Sequence, residues 1–128
     1  MRVLLDTHAL LWWLAGDPAL TLAARSAIAN EDNEIFISAA SAWEVSTKHR
    51  IGKLPGAGPL IVDFTRVIAS QGFVALPISI DHAQLAGALR SAHRDPFDRM
   101  LAAQAMAEKM AWVSNETAFD ALPVVRVW

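Results

Sequence analysis

The chain has 128 residues, 54% of them hydrophobic, no cysteine, and a formal net charge of −2. That length fits a single domain over 1–128 with a sizeable core, and the lack of cysteine excludes a disulfide framework and thiolate chemistry and suits a reducing cytoplasm. The charge gives no global pull on nucleic acid, so any such contact needs a local basic patch, and no apolar run is long enough for a membrane span, because polar residues break each one.

In chain order, "RVLL" (2–5) is a short apolar run and reads as a buried strand. Asp6 or Thr7 can cap a helix to about Ala15, which Gly16-Asp17-Pro18 stops. Asp6 and His8 interrupt the apolar N-terminus, so it reads as a core segment and not as a signal peptide. "LTLAARSAIANEDN" (20–33) has helical spacing, and "EIFIS" (34–38) is a second strand. A helix over 39–53 with Gly52 near its end leads to the loop "LPGAGP" and to a helix over 60–71 closed by Gly72. "FVALPIS" (73–79) is a third strand, and 81–93 a helix capped by Asp81. A helix from Asp95 to about Lys109, a strand at 111–114 and a strand at 124–128 complete the chain. Strands alternating with helices predict an α/β sandwich with a mainly parallel sheet. The mean hydropathy of +0.30 is high for a soluble chain and places the excess apolar surface at a subunit or partner interface.

In a parallel sheet, functional groups gather outside the carboxyl ends of the strands. Five acids fall at such strand exits or helix starts: Asp6, Glu44, Asp95, Asp98 and Glu116. Several have a purely structural alternative. Asp6 stands where an N-cap belongs. Glu44 lies at the edge of the stripe Ala40, Trp43, Thr47 and Ile51, and Lys48 at i+4 offers it a pair worth only about 0.3–0.5 kcal/mol. Asp95-Pro96 is a strong helix start, and Asp98 in the first turn suits the helix dipole. Yet Asp98 also heads the inward stripe Leu101, Ala102 and Ala105, which capping does not require.

Taken together, the acids make a different case. Two unit charges about 4 Å apart repel by roughly 4 kcal/mol at an effective dielectric of about 20. Converging carboxylates therefore need protons or divalent cations. An all-oxygen set suits Mg²⁺ or Mn²⁺, and such ions activate water for phosphodiester hydrolysis.

The stretches "LLDTHALLWWL", "ISAASAWEVSTKHRIGKL", "HRDPFDRMLAAQA" and "VSNETAFDAL" resemble, in family order, the PIN-domain ribonucleases, above all the VapC-type toxins of type II toxin–antitoxin pairs. The resemblance implies a three-layer α/β/α sandwich and a Mg²⁺- or Mn²⁺-dependent endoribonuclease acting on RNA. It carries metal-binding and catalytic roles onto Asp6, Glu44, Asp95 and Asp98, and a catalytic role onto Glu116. "S-N-E-T-A-F" puts Glu116 where many members have Asp, and the longer side chain would reach a metal directly or through water. The resemblance also implies a homodimer and a VapB-like antitoxin. Its tail would place a basic side chain among Asp6, Glu44 and Asp98, in a groove lined by Leu11, Trp12 and Leu14.

Arg94 and Arg99 beside the acids are candidates to hold phosphate, with charge pairing to Asp95 or Asp98 as the alternative. Ser114 matches a small hydroxyl residue of the family that positions a ligand or caps the next turn. His8 and His93 flank acids and could orient water, although a satisfied or solvated imidazole is the commoner outcome. A haloacid dehalogenase-type phosphatase would need a second acid where His8 stands, and a receiver domain an Asp that "FVALPIS" lacks. No glycine-rich phosphate loop follows the first strand. The alternative left open is a PIN scaffold that binds RNA or a protein partner without cleaving.

Overall fold

The computed structural model describes residues 1–54 and 57–128. Its strands are β1 (Arg2–Leu5), β2 (Glu34–Ser38), β3 (Val74–Leu76), β4 (Ala111–Val113) and β5 (Val125–Val127). They form one all-parallel sheet in the order β3-β2-β1-β4-β5. The helices are α1 (Thr7–Ala15), α2 (Leu22–Ala29), α3 (Ala39–Arg50), α4 (Gly58–Val62), α5 (Phe64–Ser70), α6 (Ile80–Ala88) and α7 (Pro96–Ala107).

Central β1 explains the layering. Val3 and Leu5 point into a core with Leu10, Ala24, Ile37 and Ile68. Leu4 points the other way, against Trp112, Ala86, Leu101 and Ala105. A strand covered on both faces has no polar side, which is why "RVLL" reads as a continuous apolar run. Each leucine so buried contributes about 1.5–3 kcal/mol. The result is the expected α/β/α sandwich.

From β1 the chain steps outward to β2 and β3, then crosses back to β4 and β5. Strand order therefore reverses between β1 and β4, where a crevice opens at the carboxyl ends. The pairing of Leu5 with Val113 sets the next residues, Asp6 and Ser114, side by side. Buried hydrogen bonds fix the helices around that crevice. Thr7 Oγ1 donates to Ser41 Oγ at 2.9 Å, tying α1 to α3, and Ser38 Oγ, at the end of β2 where α3 is capped, donates to Gln104 Oε1 of α7.

Several elements differ from expectation. The helix expected over 60–71 is two helices, because Asp63 leaves helical geometry (φ −157°, ψ 84°) and caps α5 by accepting from Arg66 N. Ser79, not Asp81, caps α6: its hydroxyl accepts from His82 N while His82 Nδ1 accepts from Ser79 N. This reciprocal pair satisfies two end donors, so the helix begins at Ile80 with Asp81 in its first turn. It also ends early, at Ala88 rather than residue 93, where Arg99 of α7 takes the carbonyls of Ala86 and Leu89. The third strand keeps only Val74–Leu76 of the expected 73–79. Of the expected loop at 54–59, residues 55 and 56 lie outside the described residues, and Gly58 and Pro59 already belong to α4.

Candidate active site

Asp6 leaves β1 as the N-cap of α1, and its Oδ1 accepts from His8 N at 3.0 Å. Its other oxygen, Oδ2, accepts from Ser114 Oγ at 2.6 Å. The capping role and a place in the crevice thus coexist, one oxygen each. The residue is 3% exposed. Burial raises its pKa above the ordinary carboxylate value, against the hydrogen bonds from Ser114 and His8, and the Glu44 charge adds to the rise.

Glu44 is more deeply placed than its helical wheel suggested. The buried face of α3 runs through Ala40, Ser41, Glu44 and Val45, whereas Trp43 is 60% and Ile51 50% exposed. The expected stripe was therefore misphased: Trp43 covers no core but packs edge-on against Phe97 across the surface, at 4.8 Å between ring centroids. Glu44 is at the centre of the inward face, 2% exposed. Its Oε2 accepts from Lys48 Nζ one turn on, and its Oε1 is buried with no hydrogen-bond partner.

Asp95 caps α7, its Oδ1 accepting from Phe97 N at 2.9 Å and Asp98 N at 3.2 Å. Asp98 turns inward, with Oδ2 2.8 Å from His93 Nε2. Its carboxyl is pushed up to about 6, first by burial and then by the charges of Asp6, Asp95 and Glu44, against the lowering hydrogen bond from His93. His93 is raised in turn, first by the hydrogen bond to Asp98, against partial desolvation, and further by the Glu116 charge. Glu116 Oε2 lies 3.8 Å from His93 Nε2, while its Oε1 accepts from Ala118 N at 2.8 Å. Ligand atoms of His93, Asp98 and Glu116 all fall within 4.8 Å of one another.

The acids meet in a cleft of about 270 Å³ lined by all five of those singled out in the sequence, together with His8, Trp12, Lys48 and Asn115. Ser114 lies beneath it, fully buried, its hydroxyl also accepting from Glu116 N. Arg94 and Arg99 do not line it. They belong to a separate depression with Ser91 and His93. The guanidinium of Arg99 neither pairs with Asp95 or Asp98 nor faces the cleft: it donates to the carbonyls of Ala86, Gly87, Leu89, Ser91 and His93. It was expected at the site because it stands beside Asp98 in sequence, but neighbours on a helix point in different directions.

The residues fit a divalent cation. A buried carboxylate oxygen with no partner is costly, and Glu44 Oε1 is such an atom on the wall of an acid-lined cleft. The acids of the cleft offer hard oxygens, and among the described residues the ligand atoms spaced to share one ion are those of His93, Asp98 and Glu116, a set suited to Mg²⁺ or Mn²⁺. His93 was weighed both as a residue that could orient water and as a satisfied or solvated imidazole, and it is hydrogen-bonded to Asp98. Lys48 forms the i+4 pair with Glu44 that spacing offered, and its place on the cleft wall is what spacing alone does not reveal.

Fold and site together define a member of the PIN domain family, whose profile matches residues 3–125; the chain belongs to that family. Over 65 residues it is 37% identical to Ribonuclease VapC16 of Mycobacterium tuberculosis, a match covering 48% of this chain and 43% of that protein, so it spans less than half the length of this curated relative. Among solved structures it is similar to VapBC2 from Rickettsia felis bound to a promoter DNA fragment (TM-score 0.70, 17% identity, covering 98% of this chain and 97% of that one). A toxin–antitoxin complex from Klebsiella pneumoniae gives a TM-score of 0.62 at 22% identity, covering 96% of this chain and 94% of that one. FitAB bound to a DNA fragment gives 0.62 at 19% identity, covering 97% and 92%. At those identities the likeness is one of fold.

Proposed function

We propose that this chain is a Mg²⁺- or Mn²⁺-dependent endoribonuclease acting as the toxin of a toxin–antitoxin pair. The observation that carries the reading is the unpartnered, buried Glu44 Oε1 in a cleft shared with Asp6, Asp95, Asp98 and Glu116. When bound, the ion would supply Lewis-acid stabilisation and a more acidic water. Asp6, Glu44, Asp95 and Asp98 would hold it, with Glu116 contributing from the loop that follows β4. Ser114 fixes the Asp6 carboxylate by its 2.6 Å hydrogen bond. His93 holds Asp98 and is placed to move a proton at Nε2.

The partner in this reading is a VapB-like antitoxin, supported by the likeness to VapBC2 and to a structure described as a toxin–antitoxin complex. An apolar groove of about 280 Å³, lined by Leu11, Leu14, Ala15, Leu60 and Val67 among others, is where its tail would lie. Trp12, expected in that groove, instead faces the acidic cleft beside His8. The working form would be a cytoplasmic homodimer; no described helix is long and apolar enough to cross a membrane.

The test is cleavage of single-stranded RNA by the purified protein in Mn²⁺, in Mg²⁺ and in EDTA, beside Asp98→Asn. Activity that needs the ion and disappears in the variant supports the reading. RNA binding without cleavage in any metal would favour a non-cleaving PIN scaffold.

A further inference from the structure

An acidic cleft that takes a polyanion gains from positive charge supplied by the protein itself. Among the described residues lining it, the lysines and arginines amount to Lys48 alone. An ammonium has three donors. One of those on Lys48 engages Glu44 Oε2, and the side chain is 26% exposed. No second acceptor among the described residues lies within hydrogen-bond reach of Nζ, so two donors are free at the cleft. Glu44 and Lys48 are one turn apart on α3, which sets the ammonium beside the carboxylate whose other oxygen, Oε1, is unpartnered. The Glu44 carboxylate thus gives one oxygen to the lysine and leaves the other without a partner. A purely electrostatic account of the pair is incomplete, because a fixed positive charge beside a divalent ion weakens metal binding. An anionic substrate that engages both cations removes that conflict.

We propose that Lys48 is a catalytic residue that donates a hydrogen bond to a non-bridging oxygen of the scissile phosphate, completing with the metal a two-point cationic grip on it. The assignment rests on the ribonuclease reading above. In the hydrolysis, a water oxygen bonds to phosphorus as the bond from phosphorus to a ribose oxygen breaks on the opposite side. The water loses one proton, and the departing oxygen takes one up. Lys48 exchanges no proton in this step. Its hydrogen bond strengthens as charge builds on the phosphoryl oxygens, so its effect falls more on kcat than on binding.

The experiment compares full-length wild type with Lys48→Met, Lys48→Gln and Lys48→Arg in three measurements: Mn²⁺ affinity, binding of a short single-stranded RNA in Ca²⁺, and cleavage of that RNA in Mn²⁺. Lys48→Met and Lys48→Gln should bind Mn²⁺ at least as tightly as wild type. They should bind RNA about tenfold more weakly and cleave with kcat lowered about a hundredfold or more. Lys48→Arg should recover most of the RNA affinity. Unchanged RNA affinity and cleavage in Lys48→Met overturn the proposal. So does loss of Mn²⁺ binding, or of the fold, in both neutral variants, since Lys48 would then serve only to hold Glu44. If wild type binds Mn²⁺ and RNA yet never cleaves, the ribonuclease reading fails, and the binding measurement still decides whether Lys48 contacts phosphate.

Discussion

Asp98 Oδ2 and His93 Nε2 stand 2.8 Å apart, and both groups titrate above their ordinary values. Asp98 is raised to about 6, chiefly by burial, so the folded chain binds its proton more tightly than the unfolded chain does. Stability from this group is present below its unfolded value of 3.8 and is lost as pH rises through about 6. His93, raised mainly by its bond to Asp98, contributes stability that is complete below 6.5 and lost as pH rises through its folded value. The two effects share a sign. Without metal, the melting temperature should be higher at pH 5.5 than at pH 7.5, and Asp98→Asn should reduce the difference, leaving the part that comes from Asp6, which burial also raises. Calorimetry in EDTA measures this, and equal melting temperatures at the two pH values in wild type would refute it.

A divalent ion should reverse that trend. Bound only to the folded state, Mn²⁺ at a hundredfold excess over Kd stabilises by about 2.7 kcal/mol. At pH 7.5 it should raise the melting temperature of wild type and do so much less in Glu44→Gln, which lacks the charge behind the buried, unpartnered Oε1. The gain should shrink below pH 6, where protonation of Asp98 competes with the ion. Equal shifts in wild type and Glu44→Gln would move the ion elsewhere.

Much of this was legible before any coordinates, and for physical reasons. β1 is apolar because both its faces are covered, and Asp95-Pro96 starts a helix because proline fits the first turn and aspartate caps it. All five acids chosen for following strands or opening helices do line one cleft. What sequence could not supply was direction. Trp43 looked like core and is 60% exposed, since nothing in a helical wheel tells which of two apolar stripes meets the sheet. Arg99 looked like a phosphate ligand or an ion-pair partner of Asp95 or Asp98 and instead grips five carbonyls, because the early end of α6 is not written in local propensity.

That grip predicts a structural phenotype for Arg99. Its guanidinium satisfies carbonyls at the end of α6 and in the segment leading to His93, including Leu89 O at 2.7 Å and His93 O at 3.0 Å. Arg99→Met should cost about 2–3 kcal/mol. Lysine, with a single compact ammonium, should recover little of that loss. Chemical denaturation gives the figure. A variant as stable as wild type but deficient in RNA binding would return Arg99 to a phosphate role.

Asp95 holds the question of capping against chemistry in a single side chain, and two substitutions separate the answers. Oδ1 takes both cap hydrogen bonds, while the carboxylate as a whole lines the cleft and adds to the charge that raises Asp98. Asp95→Ala removes the cap and the charge together and should cost about 1 kcal/mol of stability. Asp95→Asn keeps a capping oxygen of nearly equal quality, so the fold should lose only a few tenths of a kcal/mol. The missing negative charge also relieves repulsion with Asp98. If Asp95 serves only the helix, Asn should be silent in every functional assay. If it also serves the cluster, Asp95→Asn should melt near wild type yet bind Mn²⁺ about tenfold more weakly, as supporting groups around a metal commonly do when removed. We expect the second outcome, because the helix uses only one oxygen of Asp95 and the residue also lines the cleft. Wild-type Mn²⁺ affinity in Asp95→Asn would leave Asp95 a cap and assign the ion to Asp6, Glu44 and Asp98 alone.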